Sequence, residues 1–182
     1  MKYRVVTDST LLPVSLEYMK DYLYVDHTSH DKIITTMIKT AAREAEVYLA
    51  KPIMAKTLEA YADSYQEDYE LPLTATAVSS VKYYDSDNSD ITLVADTDYV
   101  VYDTVQPQVI HMESELTVYD RPDAVRIQFT IGSTKQEQVD PLVIQAVCWA
   151  VAEMYEKRIN DKVPNRDMFK SILHPIREIR FA

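Results

Sequence analysis

Val125-Arg126-Ile127-Gln128-Phe129-Thr130-Ile131 is followed, after eight intervening residues, by Asp140-Pro141-Leu142-Val143-Ile144-Gln145-Ala146-Val147-Cys148-Trp149-Ala150-Val151. The first stretch alternates apolar and polar side chains without a break, which is the pattern of a strand buried on one face. The second opens with Asp140 placed as an N-cap and Pro141 at the first helical position, where a missing N–H costs nothing. Val143, Ile144, Val147, Ala150, Val151, Met154 and Tyr155 then make a helix that is apolar almost all round and runs to about Ile159. The hydrophobic period switches from 2 to 3.6 within one short stretch, so the chain commits both a sheet and a helical core.

On the N-terminal side of that strand the pattern stays β. Val81 and Tyr83 alternate with Lys82 and Tyr84, the polar run Asp85-Ser86-Asp87-Asn88 favours a turn, and residues 91–95 read as the return strand. Asp96-Thr97-Asp98 turns again into residues 99–102, and residues 109–112 and 116–119 are shorter candidates. Further back the pattern is helical. Residues 15–25 carry Leu16, Met19 and Leu23 on one face behind Ser15 as N-cap. Thr28 and Asp31 then have capping-box spacing ahead of Ile34, Ile38, Ala41, Ala45 and Tyr48, and Lys51-Pro52 ends that helix. A loop around residues 160–164 leads to a last amphipathic piece with Met168, Phe169, Ile172 and Leu173, ended or kinked by Pro175. The expectation is an α+β fold in one domain over residues 1–182. A small helical bundle, made of an N-terminal helix pair and a C-terminal core helix (residues 10–52 and 139–176), carries a central antiparallel β-rich insertion at residues 53–132.

The charge is unevenly placed. Residues 59–103 hold eleven acidic side chains and one base, Lys82, which equals the formal net charge of −10 for all 182 residues. The tail from Lys157 to Arg180 is mildly basic, with seven bases and three acids. An acidic β-patterned segment between neutral helical ones is a surface built to face something or to repel it.

Composition removes several function classes. The single glycine, Gly132, excludes glycine-rich phosphate cradles and dinucleotide fingerprints. The single cysteine, Cys148, makes neither an internal disulfide nor a thiolate metal site, and its place in the most apolar helix makes it a core residue. Residues 1–10 do not read as a signal peptide, and the apolar run 142–152 is too short and too interrupted for a membrane span, so a cytosolic protein is expected. Asp26-His27-Thr28-Ser29-His30-Asp31 has two histidines but no third ligand placed by spacing, and reads better as a solvated helix start than as a metal site. Asp85, Asp87 and Asp90 lack the glycine and distal glutamate of a calcium loop and read as a hairpin tip. Asp96 and Asp98 would do acid–base chemistry only if burial raised one of them. The 14 tyrosines, several of them on strands, would suit stacking on single-stranded nucleic acid, but the β region has the wrong charge for that, and strand propensity accounts for them. No catalytic constellation and no cofactor motif emerges.

Three blocks in register resemble the phage head–tail connector (adaptor) family. Residues 15–26, Asp31-Lys32-Ile33-Ile34 and Ala41-Ala42-Arg43-Glu44 look like that family's opening helix pair. Leu71-Pro72-Leu73, Val78-Ser79-Ser80-Val81-Lys82-Tyr83-Tyr84-Asp85 and Asp98-Tyr99 are similar to its β segment. Pro141 through Ala146, with Ala150, Tyr155, Glu156 and Arg158, resembles its closing helix. Two departures touch turns: Asn88-Ser89 stands where the family usually has glycine, and Gly132-Ser133 where it often has glycine-tyrosine. The resemblance implies a non-enzymatic virion protein of the neck, present in the host cytoplasm before assembly. It implies a ring of about a dozen copies under the portal protein, extending the DNA channel and joining other neck or tail-completion proteins. DNA would pass without specific binding, and no membrane or cofactor would be involved. Under that reading Asp85, Asp87, Asp90, Asp96 and Asp98 are a channel-lining or inter-subunit surface. Met168, Phe169, Ile172 and Leu173 are a docking face for the portal or a neighbour, or else pack within their own subunit. Another neck or tail-completion protein is the alternative within phage assembly. A small soluble enzyme or ligand-binding domain is the alternative from another class, and it requires a deep pocket with convergent polar groups.

Overall fold

Strand β8 (Val125–Ile131) lies between two antiparallel neighbours, β2 (Lys56–Ala62) and β4 (Ala75–Tyr84), in a computed structural model that describes residues 1–72, 75–104, 107–157 and 166–177. Its alternation is realised directly, with Val125, Ile127, Phe129 and Ile131 buried and Arg126, Gln128 and Thr130 on the other face. The sheet is completed by β1 (Lys2–Thr7) outside β2 and β5 (Asp90–Thr92) outside β4, in the order β1-β2-β8-β4-β5. A second sheet of three short antiparallel strands has the order β3 (Asp68–Glu70), β7 (Val109–Met112), β6 (Tyr99–Tyr102). It supplies Tyr69, Ile110, Met112 and Tyr99 to the same apolar cluster as the inner face of β8. Fully burying each of the larger side chains in that cluster contributes roughly 1.5–3 kcal/mol.

The helices build a separate core. α1 (Leu16–Tyr22), α2 (Asp31–Leu49), α3 (Pro141–Lys157) and α4 (Arg166–Leu173) bury Met19, the Ile34-Ile38-Ala41-Ala45-Leu49 stripe, six residues of α3, and Phe169 with Leu173. By contacts along the chain, residues 1–8 with 55–132 form one compact unit, and residues 9–54 with 133–182 form another. The fold class is α+β, with a helical unit and an antiparallel β unit.

Several expected boundaries move, each for a local reason. Ser15 does cap α1, accepting from the Tyr18 N–H at 3.1 Å, but the helix stops at Tyr22 rather than running to residue 25. Leu23 is the C-cap and Tyr24 takes a left-handed φ of 55°. Thr28 is not the cap of α2: His30 occupies that position, Thr28 only offers its carbonyl to the Asp31 N–H, and Asp31 pairs with Lys20 at 2.9 Å. α2 ends at Ala50, left-handed at φ 55°, one residue before Lys51-Pro52. Asp140 accepts from the Leu142 N–H at 2.8 Å, as an N-cap ahead of Pro141 should. The last described residue of α3 is Lys157, so the expected end at Ile159 and the loop at 160–164 lie outside the described residues, as do Leu73 and Arg158 of the family motifs. Residues 116–119 form no strand. Val118 makes a single bridge to Asp85.

The N-terminal strand β1 was not anticipated from the sequence. Its six residues are all exposed, so it has no burial pattern to betray it. What holds it is a cross-strand row, Arg4 opposite Glu59 opposite Gln128. The Glu59 carboxylate, 6% exposed, accepts from Arg4 at 2.8 Å, from the Tyr61 hydroxyl at 2.5 Å and from Gln128 at 3.2 Å. Burial would raise its pKa, but the hydrogen bonds from Tyr61 and Gln128 and the charge of Arg4 outweigh that and hold it below the usual range.

A group whose folded pKa is depressed stabilises the protein above its unfolded pKa, and that contribution fades as the pH falls through the folded value. Glu59→Gln is therefore expected to cost about 1–3 kcal/mol at pH 7. Urea denaturation from pH 7 down to the carboxylate range should show the gap between wild type and variant closing with acid, and a constant gap would contradict this account.

Candidate functional site

The charge follows the two units. Residues 1–8 and 55–132 carry 16 acidic and 6 basic side chains, and the helical unit carries 13 of each, so the net −10 belongs wholly to the β unit. The sequence placed this charge on a surface, and the structure shows how its members differ.

At the tip between β4 and β5, Asp85 is a turn-former. Its carboxylate accepts from the N–H groups of Asp87 at 3.0 Å and Ser89 at 2.8 Å, and Asn88 takes the left-handed φ of 61° that a glycine would otherwise supply. Asp90 pairs with Arg126 from β8, and the hydrogen bond from that guanidinium holds its carboxyl below the ordinary value. Behind the tip, Arg121 and Arg126 both lie over the Tyr84 ring, at 3.7 and 4.5 Å from its centroid. Arg121 is itself held by Asp123 through two bonds of 2.6 and 3.0 Å and donates to the Asn88 side chain at 2.9 Å. Of the three tip aspartates, Asp87 joins this lattice through its backbone N–H alone, and its side chain is exposed. The Arg-Tyr-Arg cluster was not anticipated. Its signal was weak, because Tyr84 and Arg121 are 37 residues apart and meet only through strand pairing.

The second acidic turn is equally structured. Asp98 accepts from the Val94 N–H at 2.7 Å through its side chain, its own N–H returns to the Val94 carbonyl at 2.9 Å, and Asp96 is left-handed at φ 62°. The turn raises Val94, 59% exposed, beside Asp96, which is also exposed. None of the five aspartates is buried, so none meets the condition for acid–base chemistry.

The tail residues separate in the same way. Phe169 and Leu173 are buried in their own unit's core and Ile172 packs against it, whereas Met168 is 50% exposed. Between α2 and α4 lies a groove of about 350 Å³ with Val47, Tyr48 and Phe169 on its walls. Arg43, Glu44, Arg166 and Lys170 line it, and Arg166 is paired with Glu44 at 2.7 Å.

The other candidates take structural roles. His27 bonds to Ser29, His30 bonds to the Tyr155 hydroxyl at 2.7 Å, and no group of three His, Cys, Asp or Glu among the described residues is placed to hold a metal. Cys148 is buried, and burial pushes its thiol up to about 11, so it is not a nucleophile at neutral pH. No helix of the described residues is long and apolar enough to cross a membrane.

Asp85→Ala should cost about 1–2 kcal/mol, because two turn N–H groups lose their acceptor, whereas Asp87→Ala should stay within about 0.5 kcal/mol. Denaturation midpoints test this, together with hydrogen exchange at the Asp87 and Ser89 amides. Equal effects of the two substitutions would contradict the division of roles.

No protein-family model and no curated protein matches the sequence. Solved structures do. A chain from the neck of a native gene transfer agent (GTA) particle, computed with C12 symmetry, superposes with a TM-score of 0.72 at 18% identity, over 100% of this chain and 98% of that one. A chain from the neck of an empty GTA particle, computed with C6 symmetry, gives 0.71 at 14% identity, with the same coverage. A chain from the virion of the native GTA particle gives 0.71 at 17% identity, again over 100% and 98%. The chain has, over its full length, the fold of a neck protein from a phage-like particle.

Proposed function

We propose that this chain is a structural neck subunit, a head–tail connector (adaptor) whose two units act as one domain. In this reading about a dozen copies close into a ring beneath the portal protein and extend the channel through which DNA leaves. The observation that carries it is the end-to-end structural match to chains of a particle neck. The C12 and C6 symmetries with which those necks were computed support a multi-copy ring. The protein performs no chemistry and takes no cofactor. It waits in the host cytoplasm until assembly, and its partners are its own copies, the portal and further neck or tail-completion proteins.

The concentration of all net charge in the β unit supports a channel role for the hairpin tip. DNA binding gains free energy by releasing counterions from phosphates to basic side chains. An acidic lumen inverts that term, so DNA slides without being held. Asp87 is the tip carboxylate free of structural duty, and repeated around a ring it would present one negative charge per copy.

Two measurements test the reading. Negative-stain images of the purified protein with and without portal should show rings at least in the presence of portal. Asp87→Lys particles should assemble normally but eject DNA more slowly, with the defect relieved by added salt. An absence of rings in both preparations would overturn the ring. Unchanged ejection would overturn the acidic lumen.

A further inference from the structure

We infer that the groove between α2 and α4 receives the Val94–Asp98 turn of a neighbouring copy, and that this contact closes the ring. The inference rests on the ring reading above and names the two surfaces that such a ring would use. A ring built from identical subunits needs a heterologous contact, in which one patch meets a different patch of the next copy. The groove and the turn are two such patches, on different units and of opposite character.

On the groove side, the walls are apolar and open to solvent: Val47 is 68% exposed and sits beside Tyr48 and Phe169. Three cations, Arg43, Arg166 and Lys170, line it; Glu46 pairs with Arg43 and Glu44 with Arg166, which leaves Lys170 to give the rim its positive charge. On the turn side, Val94 is an exposed apolar side chain in the unit that holds the whole net negative charge, with Asp96 next to it. The Asp98 carboxylate and two backbone bonds to the Val94 carbonyl fix the turn in the free protein. Little conformational freedom is therefore lost on docking. The fit is an apolar plug with an acidic collar entering an apolar groove with a basic collar, which selects orientation as well as partner.

Full-length chains carrying Val94→Cys and Val47→Cys, two exposed positions, can be made separately, mixed, and oxidised mildly. Native Cys148 is buried and does not compete. The expected result is a covalent dimer containing one chain of each kind, with neither variant cross-linking to itself. Lys170→Glu should weaken ring formation at least about tenfold at low salt, because it sets like charge against Asp96. Wild-type rings together with no mixed dimer, or with Lys170→Glu rings of undiminished stability, would overturn this contact and leave the neck assignment standing. Wild-type protein that stays monomeric even with portal would overturn the ring reading and the contact with it.

Discussion

Everything in the β unit depends on the register of β8. Its apolar face, Val125, Ile127, Phe129 and Ile131, enters the core, and a slip of one residue against either neighbour would turn that face outward. The same register aligns the polar face. Gln128 lies opposite Glu59, which lies opposite Arg4, so the buried carboxylate finds its partners on adjacent strands. One step along, Arg126 lies opposite Lys82 and beside Tyr84, where it reaches Asp90 at the hairpin tip. The exposed first strand and the acidic tip are thus secured by alternate residues of one central strand.

That arrangement also decides how much of the acidic surface is available to a partner. Five of the eleven acids in residues 59–103 have internal duties. Glu59 and Asp90 answer arginines, Asp85 and Asp98 shape turns, and Asp68 pairs with His111 at 2.7 Å, whose pKa its hydrogen bond raises. These pairs mix residues from inside and outside the acidic segment, because Arg4, His111, Arg121 and Arg126 all come from beyond residues 59–103. Among the acids that stay exposed, Asp87 and Asp96 are held on turns that are already ordered. Preordered charge of that kind suits a surface that meets its partner without rearranging.

The helical unit uses the opposite strategy. Its charges balance, and its core is a continuous apolar cluster from Met19 through α2 and α3 to Leu173. α4 donates Phe169 and Leu173 to that core yet leaves Met168 and Lys170 exposed, with Lys170 on the groove that Val47 lines. A helix buried on one stripe and adhesive on its border is suited to both folding and contact.

Periodicity and capping residues were enough to locate the end of β4, β6, β7, β8, α3, α4 and most of α1 and α2, while β2 and β3 were not read. In those elements the side chains that decide the structure are close together in sequence: the alternation of 125–131, the Asp140-Pro141 start, the Ile34-to-Leu49 stripe. Strand β1 was hidden, because an all-exposed edge strand carries no burial pattern and depends on Glu59, 55 residues away. So was the Arg121-Tyr84-Arg126 cluster, for the same reason of distance. The amount and location of the negative charge were properties of the sequence alone. Which carboxylates are occupied and which are free was decided only by tertiary pairing, since an ion pair or a turn bond depends on what the fold brings within about 3 Å.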